Sequence, residues 1–403
     1  MKKTEAAPSD AVVPTDATPA RDFKYEIKDD GVHISGYKGT SSSIKVPYSI
    51  GGVVVTSAFV NGNELTKLDL SAAAGLTSLS CRFCKLSALD VSSCLNLVFL
   101  DASYNNLTTL DVSKHTKLQR LSCDGNSLSS IDVTNNTALV SLHCSRNSLN
   151  FIDVSKNTAL TALDCADNSL TTIDLSKQTA LTYLRIPRNN LSALNVSRNT
   201  LLRNLDCSQN SITSLNVATC PGLTDFDCGN NRIAALDVTK APELETLLCE
   251  ANKLTTLNVS NCPKLTKLNI GSNNLSSINV TVLTELQDFR CGSNKLTTLD
   301  VSKNTKIDHI DCSNNQLTTL NVSNCKNISR LFCDNNDLAT LNMSGCSKLE
   351  TLWCYFNSRL SSLSVSGLTS LTSLQISKDP LTQNTIAELE QWGSVAGHDL
   401  KMF

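Results

Sequence analysis

From Val55 towards the C-terminus, leucine or an aliphatic substitute returns every 21 residues, at Leu76, Leu97, Leu118, Leu139 and onward to Leu349; a fainter unit starts at Val55 and a partial one, a residue late, at Leu371. In the unit Leu118–Ala138, positions 1, 4 and 6 (Leu118, Leu121, Cys123) are apolar, while 2, 3, 5, 7 and 8 vary between units. Alternation at that spacing predicts a short strand with positions 4 and 6 inside and 3 and 5 outside. Positions 11, 14 and 16 (Leu128, Ile131, Val133) return apolar groups to the same core. The return is too short for a full α-helix, so a turn, a second short strand or a 3₁₀ piece is expected there. A fixed period of this length is the mark of a solenoid, in which no coil buries its own apolar face and stability comes from stacking.

Asparagine holds position 9 at Asn105 and at every 21st residue to Asn357. Its amide can bond the backbone of its own turn and of the neighbouring coil, satisfying groups that would otherwise be orphaned. Asp or Asn recurs at position 15 (Asp90, Asp111, Asp132, Asp153, Asp174, Asn195) before Val-Ser or a similar pair. Local hydrogen bonding to the convex turn explains that ladder better than calcium does.

Seventeen cysteines would suggest disulfides if their places were ignored. Eleven of them, from Cys81 to Cys354, sit at position 6, where Val60, Ala102, Ile186, Ile270 and Ile376 stand in other units. A site shared by Cys, Ile and Ala is a packing site, and parallel neighbours about 4.8 Å apart lack the crossed geometry of a disulfide. A reduced, structural ladder is expected. Five more (Cys94, Cys220, Cys262, Cys325, Cys346) occupy position 19, and Cys84 takes the place of a position-9 Asn.

The template L-x-x-L-x-C-x-x-N-x-L is the leucine-rich repeat core with Cys for the third Leu. Followed by L-D-V-S-x-N-T, it resembles the cysteine-ladder repeats of bacterial surface proteins of the internalin family, over about residues 76–370. Upstream, DFKYEIKDDGVHISGYKGTSSSIKVPYSIGGVVVTSAF (22–59) resembles the lead-in of BspA-like surface repeat proteins. The resemblance implies an exposed, adhesive or host-contacting role. The chain shows neither a C-terminal sorting motif of the LPxTG kind nor a mucin-binding module, so wall anchoring and mucin binding are not implied.

Four segments are expected. Residues 1–21 read as a disordered leader or tether, since Met1, Lys2 and Lys3 are followed by TEAAPSDAVVPTDATPA and not by an apolar signal region. A β-rich cap covers 22–54, with a hairpin of 23–28 and 32–37 and further strands at 44–49 and 53–58. Repeats of 21 residues fill 55–378. A helical cap takes 379–403, where Thr385 and Glu388 suggest a capping box and Ile386, Leu389 and Trp392 an apolar side, with Trp392 closing the core. The fold class is thus a right-handed leucine-rich repeat solenoid with a parallel sheet on the concave face and a mostly non-helical convex side.

A formal charge of −2 with 18% charged residues supplies no field for nucleic acid, and no apolar run approaches the roughly 20 residues of a membrane span. The five histidines are scattered. His143 beside Cys144 would face the other side of its strand, and Cys81-x-x-Cys84 falls on repeat positions 6 and 9 without a second such pair. No catalytic residue, metal site or cofactor is expected, and the chain reads as a monomeric binding protein, not an enzyme.

Function is sought at positions 2, 3, 5, 7 and 8, which the repeat leaves free. Of 18 aromatics, nine stand there, against about a quarter expected for five positions in 21. Phe59, Phe83, Phe99 and Tyr104 form an N-terminal group; Phe332, Trp353, Tyr355 and Phe356, with Arg330, form a C-terminal one. Exposed aromatics with Arg are typical of binding hot spots, and flat rings stack on sugars. Between them Tyr183, Arg185, Arg188 and Arg203 precede Asp206, Asp225, Asp227, Glu245 and Glu250, a segregation that can orient a partner. The expected role is an adhesin or receptor, on the cell surface or secreted, for a protein or glycan of a host or neighbouring cell. The alternative is an intracellular or periplasmic interaction scaffold, to which the absent signal sequence and the many thiols point.

Overall fold

Positions 1, 4 and 6 are buried in coil after coil, and positions 11 and 16 close the same core from the return side. The computed structural model describes residues 17–62 and 64–403; most of the leader expected at 1–21 lies outside them. The chain divides into two compact units, one ending at Leu191 and one running from Ser192 to Phe403.

The first unit opens with the antiparallel hairpin Phe23–Lys28 and Gly31–Tyr37. The second strand of the hairpin pairs in parallel with Val53–Phe59. From there three-residue strands follow in parallel register, Ser57 beside Ser78, Phe99, Arg120, Ser141, Ala162 and Tyr183. Register is set by burial, because a one-residue slip would turn every core leucine to solvent. Short strands at Ser43–Lys45 and Ser49–Ile50 stand where a single one over 44–49 was expected.

The second unit repeats the design from Asn204 through Asp225, Thr246, Lys267, Asp288, His309, Arg330 and Thr351. Thr351 then pairs with Ser373, absorbing the one-residue insertion before Leu371. In this unit the described return segments carry the parallel pair Thr298–Asp300 with Thr319–Asn321, as Lys67–Asp69 of the first unit pairs with Ser43–Lys45. Among the described residues the only α-helix is Gln383–Gly393.

Three details of the C-terminal cap differ from the sequence reading. The helix is capped by Thr382, whose hydroxyl accepts the Thr385 N–H at 3.3 Å, so Thr385 lies inside the first turn and no Thr385–Glu388 box starts the helix. Leu389 and Ile386 fill the core, whereas Trp392 is half-exposed and stacks on His398 with centroids 4.3 Å apart. A last strand, Asp399–Met402, adds in parallel to Ser373–Ile376. Its four residues between a loop and the chain end carry too little pattern to be read as a strand.

All seventeen cysteines are buried, and none is in a disulfide. Cys144 Sγ lies 3.5 Å from Cys165 Sγ, and burial pushes the thiols of Cys207, Cys228, Cys291 and Cys312 upward from their ordinary range. Position 19 forms a second buried ladder: Asn136 Nδ2 donates to Val112 O and His115 O, and Cys262 Sγ donates to Val238 O at 3.5 Å. Amide and thiol both serve there because each can donate to a carbonyl of the preceding coil, while Ala241 and Leu283 fill the same column without a donor. Cys84 replaces its Asn on the same terms, donating to Val60 O at 3.3 Å.

Candidate binding surface

Side chains at positions 3 and 5 stand on the outer face of the strands, and those at 7 and 8 on the loop that leaves them. Two of these positions are less free than the repeat suggests. At position 8 the backbone is left-handed in every coil from Phe83 to Phe356, with φ between 51° and 60°. Only Gly125 among these residues takes that conformation without steric cost. At position 5, Asp or Asn accepts the N–H two residues on: Asp101 from Ser103, Asp164 from Ala166, Asp227 from Gly229 and Asn269 from Gly271, at 2.9–3.1 Å. The position-15 ladder does the same for position 17, Asp132 accepting from Thr134 at 2.9 Å, and these bonds hold its carboxyls below their ordinary range.

Phe59, Phe83, Tyr104, Phe332, Trp353 and Phe356 stand at positions 5 and 8, where these backbone preferences point to something else. Phe332 and Trp353 occupy position 5, where neither ring offers an acceptor for the turn. Their centroids are 4.5 Å apart, and the imidazole of His309 meets Phe332 edge-on at 5.4 Å. Arg330 is in register between His309 and Thr351 and is exposed. Burial holds His309 below its ordinary pKa, so it is neutral near pH 7. Beside this group Tyr355 meets both Phe356 and Phe403 at 5.2 Å, and burial, with the carboxylate of buried Asp334 nearby, holds its hydroxyl above its ordinary pKa. Phe356 is 59% exposed in the left-handed conformation. His309 and Phe403 were not singled out from the sequence; His309 had the signal of position 3 one coil before Arg330, Phe403 none.

In the first unit Phe83 and Tyr104 are stacked at 4.5 Å and 15°, and Phe83 is 55% exposed. Phe59 and Phe99 meet at 6.3 Å. Arg82 lies over both rings of the stack, at 4.8 and 5.2 Å, and Arg120 over Phe99 at 5.2 Å. Tyr183 and Arg185 stand at the two ends of the strand Tyr183–Arg185, on a later coil of this unit. Arg185 is tied to Asp164 at 3.1 Å and Arg188 to Asp167 at 3.1 Å, each cation answered by an acid at the same position one coil earlier.

The acidic stretch lies in the second unit. Asp206 and Asp227 are committed to the turns of Ser208 and Gly229, and Asp225 accepts from Asn204 and Thr224. The Glu250 carboxylate lies against Gly229, where an added Cβ would meet Oε1 at 2.7 Å. Burial, with Asp206 and Glu250 nearby, raises Asp227 to about 6. Among the described residues no group of three or more His, Cys, Asp or Glu is placed to hold a metal ion, and no helix is long and apolar enough to cross a membrane.

Parallel strands every 21 residues, an asparagine ladder and two buried thiol columns define a leucine-rich repeat protein. The chain belongs to the cysteine-ladder leucine-rich repeat family: it is similar to the functional domain of InlJ from Listeria monocytogenes, which includes a cysteine ladder. Identity there is 35% over 82% of this chain and 76% of that one, with a TM-score of 0.75. Two further solved structures share the fold. One is a leucine-rich repeat protein of Leptospira interrogans, 21% identical over 86% of this chain and 90% of that one, TM-score 0.69. The other is the plant peptide hormone receptor RGFR1 in complex with RGF2, 18% identical over 89% and 68%, TM-score 0.67. No family model matches the sequence, and no curated protein does.

Proposed function

We propose that this protein is an adhesin- or receptor-like binding protein, displayed on a bacterial surface or secreted, that holds a protein or glycan partner on its strand face without transforming it. The observation that carries the reading is the placement of Phe332, Trp353 and Phe356. Each stands where the backbone would be better served by an acceptor or by glycine, so packing alone does not account for them. Clustered rings beside an exposed arginine have the makeup of a hot spot. The reading is supported by the family, and by a receptor of the same fold solved with its peptide hormone.

A protein and glycan array probed with the purified chain, and again with Trp353→Ala, tests it. A partner retained by the parent and lost by the variant supports the proposal. A partner held equally by both sinks the C-terminal site. No partner on an array of host and bacterial surface molecules counts against the adhesive role.

A further inference from the structure

We propose that the first unit carries a separate recognition surface, centred on Arg82 and Arg120, that binds an extended acidic segment of a partner protein through guanidinium–carboxylate contacts. Both arginines are exposed, and each lies over an aromatic face: Arg82 over Phe83 and Tyr104, Arg120 over Phe99. A ring under a guanidinium covers one face of its plane and leaves the N–H fork at its edge for a carboxylate. Ordering the side chain beforehand also reduces the entropy lost on binding.

Their ion pairing sets them apart. The other arginines on the strand face of this unit are answered by acids, Arg185 by Asp164 and Arg146 and Arg188 by Asp167. Among the described residues neither Arg82 nor Arg120 is in an ion pair. The two acids on the neighbouring coils are turned to the backbone instead: Asp101 accepts from Ser103, and Asp124 from both the N–H and the hydroxyl of Ser145, at 2.7 and 2.8 Å. The two guanidinium groups are thus the more exposed charges here, with Asp101 and Asp124 part-buried and hydrogen-bonded beside them.

The shape fits an extended chain. Ser78 is in register with Phe99, and Ser122 follows Arg120 by two; both are small and part-exposed, so the strand face beside the rings stands low. The stack itself is built for its place. Tyr104 lies over Gly125, where a Cβ would come within 2.6 Å of the ring, and both Phe83 and Tyr104 accept a left-handed backbone to hold it. The ring group of the second unit plays no part in this surface, so either can fail without the other.

Fluorescence anisotropy with the full chain tests it, using a panel of labelled peptides that alternate glutamate with apolar residues, and their glutamine and lysine counterparts. The glutamate peptides should bind, weaken as salt is raised, and exceed the glutamine peptides about tenfold. Arg82→Gln and Arg120→Gln should each lose about tenfold, and Arg82→Lys less. Unchanged melting of these exposed-site variants separates loss of contact from loss of fold. The proposal is overturned if no glutamate peptide binds at low salt, if glutamate and glutamine peptides bind alike, or if both glutamine variants bind as the parent does. Binding of neutral oligosaccharides that fails in Phe83→Ala, with no peptide bound, would overturn it in favour of sugar stacking.

Discussion

Asn252 Oδ1 accepts the N–H of Ile233, one coil back, at 2.9 Å, while its Nδ2 donates to the carbonyls of Cys228, Cys249 and Glu250 at 3.0–3.3 Å. One buried amide thereby satisfies groups on two coils. Asn252→Ala should cost on the order of 2–4 kcal/mol, because the N–H of Ile233 and the Cys228 carbonyl lose a partner that water cannot replace. Asn252→Asp should be no better, since a carboxylate would then face three carbonyl oxygens. Chemical denaturation of both variants measures this, and an Asp variant as stable as the parent would contradict it.

The thiols should be present but slow to react. Labelling with a thiol reagent is expected to be slow in the native protein and complete after denaturation without a reductant. Thiols missing under those conditions would show bridging. Cys228→Ser, which puts a hydroxyl into the ladder, should cost about 1–3 kcal/mol.

Asp227 makes stability depend on pH in an unusual direction. Its folded pKa, about 6, lies above the unfolded value, so the folded state holds the proton more tightly and stability falls as pH rises from about 4 to 6. Asp227→Asn keeps an acceptor for the Gly229 N–H, as Asn269 does for Gly271, and removes the charge beside Asp206 and Glu250. Above pH 6 the variant should gain on the order of 1–2 kcal/mol, a figure reduced for partial exposure. Near pH 3 the gain should vanish. Melting curves at the two pH values decide, and a gain that persists at low pH would point to a different cause.

Left-handed backbone at position 8 predicts that a neutral change to glycine stabilises. Ala251 (φ 52°) is a clean case, and Ala251→Gly should gain about 0.5–1 kcal/mol. Phe356→Gly should gain likewise while weakening partner binding, if the ring is there for recognition. Equal or lower stability of Ala251→Gly would remove the backbone argument for the aromatic positions.

Trp353→Ala should weaken binding by on the order of 2 kcal/mol or more. Because Trp353 lies outside the core and packs on Phe332, its loss should shift the melting temperature only slightly. Calorimetric titration alongside thermal unfolding separates the two effects. A melting point lowered by several degrees with binding intact would assign the ring to the cap.

The period was legible because in a stacked coil the neighbour of a residue is its own counterpart 21 residues away. A repeating letter therefore states a repeating contact: Leu121 lies beside Leu142, Cys144 beside Cys165, and Asn252 reaches back to Cys228. Core positions, thiol ladder and asparagine ladder all follow from that identity between sequence interval and spatial neighbour, as do the turn bonds of position 15. The positions without a repeating letter behave otherwise. Whether Arg185 meets Asp164, or Arg82 lies over Phe83 and Tyr104, depends on unlike side chains meeting across coils, and no periodic signal announces such a pair. The left-handed turn at position 8 was hinted at only by Gly125 and by Asn230, Asn314 and Asn335, because most coils bear that backbone with ordinary residues. The choice of Thr382 over Thr385 as helix cap, and the strand Asp399–Met402, were likewise settled by tertiary packing: both threonines suit a cap, and the strand forms because the edge of Ser373–Ile376 has backbone groups to satisfy.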